Sequence, residues 1–145
     1  MADERDIVKQ VVQVLRDGQK GLSDLAEHVK DPQVKTFFVE ESQTRSRYAS
    51  ELESVAGLEK DDSGTAAGAI HRTWGDLKGK LGGGDHTLLE TAEQGEDAAK
   101  KAYEDALKEA GAVRPAIRQL LEKQQTHVKQ SHDKVKSFRD SKEAA

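Results

Sequence analysis

The sequence has no cysteine, two prolines and few aromatic residues, namely three Phe, two Tyr and one Trp among 145 residues. Without cysteine the chain can form no disulfide, no thiolate-bound zinc or iron–sulfur site, and no cysteine nucleophile. The shortage of aromatics and prolines argues against a β-sandwich or barrel, whose strands and turns are rich in such residues. These absences leave helical classes as the main candidates.

Long apolar runs and an excess of positive charge are also missing. No stretch approaches the roughly 18 apolar residues of a membrane-spanning helix, so we expect no membrane association. The formal net charge is -4, which makes a nucleic-acid partner an unfavourable interpretation. The first residues are acidic and no apolar segment follows them, so we expect no secretory signal and a cytoplasmic location in a bacterium or archaeon.

What the chain has in quantity is charge, at 34% of residues, beside 34% hydrophobic residues. That mixture is typical either of long helices with solvated faces or of disorder. Apolar residues recur every three or four positions, as on the buried face of a helix. The pattern predicts helices over residues 4–30, 32–56, 86–110 and 113–140 and a shorter one over 65–81, within a single domain of residues 1–145.

Several residues mark the predicted helix ends. Asp31 and Pro32 favour the N-cap and first position of the second helix, and Gly57 favours its end. Gly111 and Pro115 separate the last two long helices, while Thr87 and Glu90 predict a capping box for the third.

Residues 57–84 hold eight of the 12 glycines and are long enough to run the length of a bundle. Ferritin-like bundles have one such long connection. The predicted fold is therefore all-α, a ferritin-like four-helix bundle of two helical hairpins joined by a long crossover that contains a short fifth helix.

The two predicted hairpins resemble each other. Residues 32–41 align without a gap on residues 115–124, both beginning with Pro, and residues 17–20 align on residues 94–97, both with Gly second. The order of the matches favours a duplicated helical hairpin.

Each long helix carries one polar residue on its apolar stripe near mid-length. These residues are Gln19, Glu41, Glu96 and Gln124. An ionised carboxylate in a core needs a partner, so function is expected here. Di-iron bundles place one Glu on each of two helices and Glu-x-x-His on the other two. The corresponding positions read Gln19, Glu41-x-x-Thr44, Glu96 and Gln124-x-x-His127, with Glu93 one turn before Glu96.

Two interpretations of this layer stay open. In the first, Glu41, Glu93, Glu96 and the imidazoles form a partial transition-metal site, and such ligands suit iron, manganese or zinc. In the second, Arg45 lies between Glu41 and Glu96 as a fixed cation, and the layer sets helix register without metal in a structural or interaction module. A di-iron oxidase or peroxidase is a further alternative, but it lacks several ligands.

Two more histidines are candidate ligands. His132 lies beside the apolar stripe of the last helix and His71 lies one turn before Trp74 in the crossover. His127 and His132 are about 140° apart around their helix, at ~100° per residue, so they cannot readily share one metal.

The charges of the last two helices are opposite in sign. Residues 85–109 carry eight acids and three bases, and residues 114–142 carry eight bases and three acids. We expect these helices to lie side by side. Self-association, as a dimer, is the expected partner interaction, since dimers are common for such bundles.

The sequence resembles a bacterial family of small four-helix-bundle proteins of unknown function in the ferritin-like superfamily, over about residues 5–140. The resemblance lies in residues 17–21 (DGQKG), residues 69–74 (AIHRTW), residues 93–97 (EQGED) with Tyr103, and His132-Asp133 with Arg139. It implies a ferritin-like bundle with metal-binding capacity and no assigned reaction. Family members commonly have Glu where this chain has Gln19. That departure leaves a site centred on Glu93, Glu96 and His132 as the more plausible metal site.

Overall fold

A computed structural model describes residues 3–59, 74 and 77–143. These described residues form four long helices: α1 (Glu4–His28), α2 (Pro32–Ala56), α3 (Asp85–Lys108) and α4 (Pro115–Glu143). A single helical turn, Leu77–Lys80, precedes α3, and a 3₁₀ turn, Ala110–Ala112, precedes α4. The described residues form no strand. Most of the predicted fifth helix at 65–81, including His71, lies outside the described residues.

Local signals explain most of the helix ends. The Asp31 carboxylate accepts hydrogen bonds from the backbone N–H groups of Gln33 and Val34, and Pro32 opens the helix, as predicted. Gly57 ends α2 in the left-handed conformation at φ 69°, which is accessible to glycine at no steric cost.

The predicted capping box of α3 is wrong. The N-cap is Gly84, and it makes no side-chain capping bond. The chain enters the helix earlier because the Asp85 carboxylate accepts hydrogen bonds from the backbone N–H groups of Lys30 and Asp31, at 2.8 and 2.9 Å. This tie fixes the start of α3 beside the α1–α2 turn, so Thr87 lies inside the helix.

The helices contact one another in a cycle, α1 with α2, α2 with α4, α4 with α3 and α3 with α1, as in a four-helix bundle. At one end of the bundle, Arg114 at the start of α4 bonds Glu4 at the start of α1 and the carbonyl of Val55 near the end of α2. At the other end, Asp85 and Lys142 meet the α1–α2 turn. The end of α2 and the start of α3 therefore lie at opposite ends, and residues 57–84 connect them.

The buried apolar residues form two clusters with polar residues between them. One lies toward the Arg114 end and includes Leu15, Leu52 and Ile117. The other lies toward the Asp85 end and includes Leu25, Phe38 and Leu88. Three of the predicted interruptions, Gln19, Glu41 and Glu96, lie between the clusters, whereas Gln124 lies within the first cluster, between Leu121 and Val128 of α4. Among the described residues, none of the helices is long and apolar enough to cross a membrane.

Candidate functional site

Arg45, on the inner face of α2, is the centre of the polar layer. Its side chain is 0% exposed, and its Nη2 lies 2.7 and 2.8 Å from the two carboxylate oxygens of Glu96 on α3. Ser131 Oγ on α4 lies 3.2 Å from the same nitrogen. Glu41, one turn earlier on α2, is 3.6 Å away. One guanidinium thus connects three helices.

The charge balance of this layer keeps Arg45 protonated. Burial alone would lower the pKa of Arg45, but the negative charges of Glu96 and Glu41 outweigh it, so that its pKa is raised. The Glu96 side chain is also 0% exposed, and the arginine gives it the charge-assisted hydrogen bonds that a buried carboxylate requires.

Glu41 connects the buried layer to the surface through His127. The Nε2 of His127 lies 2.9 and 3.1 Å from the two Glu41 oxygens, and the imidazole is 34% exposed. Burial raises the pKa of Glu41, but the hydrogen bond from His127 and the charge of Arg45 outweigh this and leave it below its usual value. The ring of Tyr48 meets that of His127 edge-on, at 5.6 Å between centroids.

Within the described part of the chain, the side chain of Gln124 forms no hydrogen bond with Glu41 or Glu96. Its Oε1 accepts a hydrogen bond from the Tyr103 hydroxyl at 2.8 Å, and its Nε2 donates to the carbonyl of Tyr48 at 3.3 Å. Burial raises the pKa of Tyr103, so the hydroxyl keeps its proton and acts as the donor. The buried amide of Gln124 is therefore satisfied by hydrogen bonds to uncharged groups.

A second buried ion pair, between Arg16 on α1 and Glu53 on α2, was missed by the sequence reasoning. The Nη2 of Arg16 is 2.7 Å from Glu53, and both residues are 3% exposed. Gln19, a predicted ligand, instead accepts a hydrogen bond from Arg16 at 3.3 Å. The available signal was spacing: Arg16 follows Val12 by four residues, which puts it on the buried face of α1.

Glu93 and His132 lie at the α3–α4 contact. Glu93 pairs with Arg139, and His132 contacts Asp97 on α3 at 2.8 Å and its neighbour Asp133 at 3.3 Å. The acidic and basic helices therefore contact each other, as expected from their charges.

Of the seven predicted metal ligands, three share the Arg45 layer, namely Glu41, Glu96 and His127. Glu93, Gln19 and His132 have the other partners given above, and His71 lies outside the described residues. Within the described part of the chain, no group of three or more His, Cys, Asp or Glu residues is placed to hold a metal ion. The metal site stays a prediction.

Trp74 packs against two glycines, and all three residues belong to the motifs on which the resemblance rests. Its indole is fully buried and lies against Gly21 of α1 and Gly95 of α3. A Cβ atom on Gly21 would lie 2.6 Å from the ring, and one on Gly95 would lie 2.3 Å from it. The two glycines therefore make room for the indole between the helices.

Comparison with known families identifies a match. The family model described as a domain of unknown function (DUF2383) matches residues 3–109. The matched region contains Glu41, Arg45, Trp74 and Glu96 and ends before α4. No curated protein matches the chain. Since the match covers more than half of the 145 residues, the chain belongs to this family, a domain of unknown function.

Proposed function

We propose that this protein is a non-catalytic structural module of the ferritin-like class, in which a buried arginine takes the central position that a metal ion would need. The observation that carries the proposal is the contact of Arg45 Nη2 with both oxygens of Glu96, with neither side chain exposed to solvent. The cation of the layer is then supplied by the chain itself.

Helix register is the property that such a layer controls. A shift of α2 by one residue would rotate Arg45 by about 100° and separate it from Glu96. Both charges would then be buried without a partner, which proteins avoid strongly. The apolar clusters on either side tolerate small shifts better, because apolar contacts are not directional. The ion-paired layer therefore selects one alignment of α2 against α3 and α4.

Binding of iron, manganese or zinc is the second candidate function. The observation that favours it is that Glu41, Glu96 and His127 share one interior layer. The donors do not fit a resident metal as they stand, because the carboxylates face the Arg45 guanidinium. A metal ion at this position would require the arginine to leave the layer.

Elemental analysis of protein purified without chelator or affinity metal separates the two candidates. The structural proposal predicts no stoichiometric iron, manganese or zinc, and a melting temperature that added metal does not change. Bound metal at a stoichiometric level, lost in a Glu96→Ala variant that remains folded, would establish the second candidate instead. Circular dichroism of the variant checks that the loss of metal is not a loss of fold.

A further inference from the structure

The contact between α2 and α4 is the least extensive of the four helix contacts around the bundle. Near the Asp85 end a groove of about 530 Å³ lies between these helices, lined by Phe37 and Glu40 of α2 and by Lys134 and Phe138 of α4. The rings of Phe37 and Phe138 meet at 5.7 Å between centroids, and both residues are only half-buried. This side of the bundle therefore leaves aromatic surface in contact with water.

Partly exposed residues continue along the whole length of this side, which we call the α2–α4 face. The larger of them are Phe37, Tyr48 and Val55 of α2 and Leu120, His127 and Phe138 of α4. From Phe37 to Val55 the helix rises about 27 Å, and each helix is about 10 Å across. Two copies of such a face can bury about 1,000 Å² in total, which is about the minimum for a specific interface.

The charges on the α2–α4 face differ in sign between the two helices. Glu40 and Glu51 lie on α2, whereas Lys123 and Lys134 lie on α4. Glu51 contacts Arg47 at 4.0 Å, but Glu40, Lys123 and Lys134 form no ion pair with any residue in the described part of the chain. The face therefore presents an acidic row beside a basic row, with most of these charges available to a partner.

We propose that the α2–α4 face binds the same face of a second copy of this chain, about a two-fold axis parallel to the helices. This axis sets α2 of each copy against α4 of the other. Glu40 of one copy then faces Lys134 of the other, because the two residues line one groove and so lie at the same height in the bundle. An axis perpendicular to the helices would instead set α4 against α4, where the lysine rows repel each other.

The two kinds of surface have different roles in this dimer. Removal of the Phe37 and Phe138 rings from water supplies the driving force, and the opposite charges select the axis. Trp74 lies between α1 and α3, on the opposite side of the bundle, and does not contribute. The contact uses outer residues of α2 and α4 and does not depend on the Arg45 layer, so its failure would leave the proposed function unaffected.

Charge reversal followed by sedimentation velocity tests the contact. The unaltered protein should sediment at high micromolar concentration with twice the chain mass of 15.9 kDa. Glu40→Lys and Lys134→Glu each create two like-charge contacts in the symmetric dimer, so each should weaken dimerisation by at least about tenfold. Lys129→Glu is the matched control, because Lys129 is exposed and lies about 140° around α4 from Lys134, and it should leave the dimer intact. Circular dichroism checks that every variant is folded.

Mixing the two reversed variants tests the axis itself. In a mixed dimer the introduced lysine of Glu40→Lys faces the introduced glutamate of Lys134→Glu, and the native Glu40 of one copy faces the native Lys134 of the other. An equimolar mixture should therefore regain the dimer that neither variant forms alone. A monomeric unaltered protein, which would leave the face to a different partner, overturns the proposal. So does a dimer that the reversals do not weaken, or a mixture that stays monomeric.

Discussion

One glycine in each hairpin of the bundle packs against a large side chain, and the two side chains differ in chemistry. The sequence alignment of residues 17–20 with residues 94–97 pairs Gly18 in α1 with Gly95 in α3, and each of these glycines faces a large buried side chain. Gly18 faces the guanidinium of Arg45, and Gly95 faces the indole of Trp74. The two aligned positions thus have a polar neighbour in one hairpin and an aromatic neighbour in the other. Similar backbone patterns do not imply similar interior chemistry.

The fit at the two glycines also differs in tightness. A Cβ on Gly95 would penetrate the Trp74 ring at 2.3 to 2.6 Å, whereas a Cβ on Gly18 would touch Arg45 at 3.5 Å. The indole of Trp74 therefore leaves no room for a Cβ atom on Gly95, whereas the guanidinium of Arg45 leaves room for one on Gly18. Substitutions at Gly18 and Gly95 should therefore change the free energy of unfolding by different amounts.

Of the two glycines, Gly95 should show the larger effect, in the variant Gly95→Ala. Overpacking against Trp74 should lower the free energy of unfolding by about 1–3 kcal/mol, even though alanine is the better helix former. Chemical denaturation of the variant measures the loss. The double variant Gly95→Ala/Trp74→Leu serves as the control, because the smaller side chain removes the clash and should make the alanine neutral or favourable. A Gly95→Ala single variant as stable as the unaltered protein would contradict the tight fit.

A smaller effect on stability is expected when the neutral hydrogen bond between Tyr103 and Gln124 is removed. Tyr103→Phe removes the donor to Gln124 Oε1 and should lower the free energy of unfolding by about 1–2 kcal/mol. Tyr48→Phe is the matched control. Tyr48 is half-buried, and Gln124 bonds its backbone carbonyl, which the substitution does not change. Equal stability changes in thermal or chemical unfolding of the two variants would argue against a role for the buried hydroxyl.

The smallest effect concerns the dependence of stability on pH. Because the pKa of Glu41 is lower in the folded protein than its usual value, the unfolded chain binds a proton there first as pH falls. The contribution of Glu41 is therefore fully present above its usual pKa and is lost as pH falls through the folded value. Denaturation curves collected through the acidic range should show a weaker pH dependence for Glu41→Gln than for the unaltered protein. Parallel curves would exclude a contribution of Glu41.

Sequence periodicity predicted the long helices and three of the four polar residues on the apolar stripes, whereas the fourth, Gln19, is only half-buried. A residue in register with an apolar stripe must point inward, and Glu41, Glu96 and Gln124 are indeed 6%, 0% and 1% exposed. The helix ends at Asp31 and Gly57 were predictable for a similar reason, since capping chemistry acts over a few neighbouring residues.

Partner choice between helices could not be predicted in the same way. Whether Gln19 faces Glu96 or Arg16 depends on the rotation and rise of one helix relative to another, which no single stripe determines. The start of α3 was predicted to within one residue, but its capping box was wrong, because Asp85 bonds the α1–α2 turn more than fifty residues away. The position of Trp74 between Gly21 and Gly95 likewise depends on contacts distant in sequence. The sequence makes Arg45 a candidate for the central cation, but only the three-dimensional structure gives its contacts with Glu96 and Ser131.

The most direct test of the central claim is a double-mutant cycle between Arg45 and Glu96, measured as the free energy of unfolding by chemical denaturation. Arg45→Met and Glu96→Leu each leave one buried charge with fewer partners and should each cost about 3–5 kcal/mol. If Arg45 is the cation of the layer, the double variant Arg45→Met/Glu96→Leu should recover most of that loss, because neither charge of the pair is then left alone. Losses that simply add in the double variant would contradict the account.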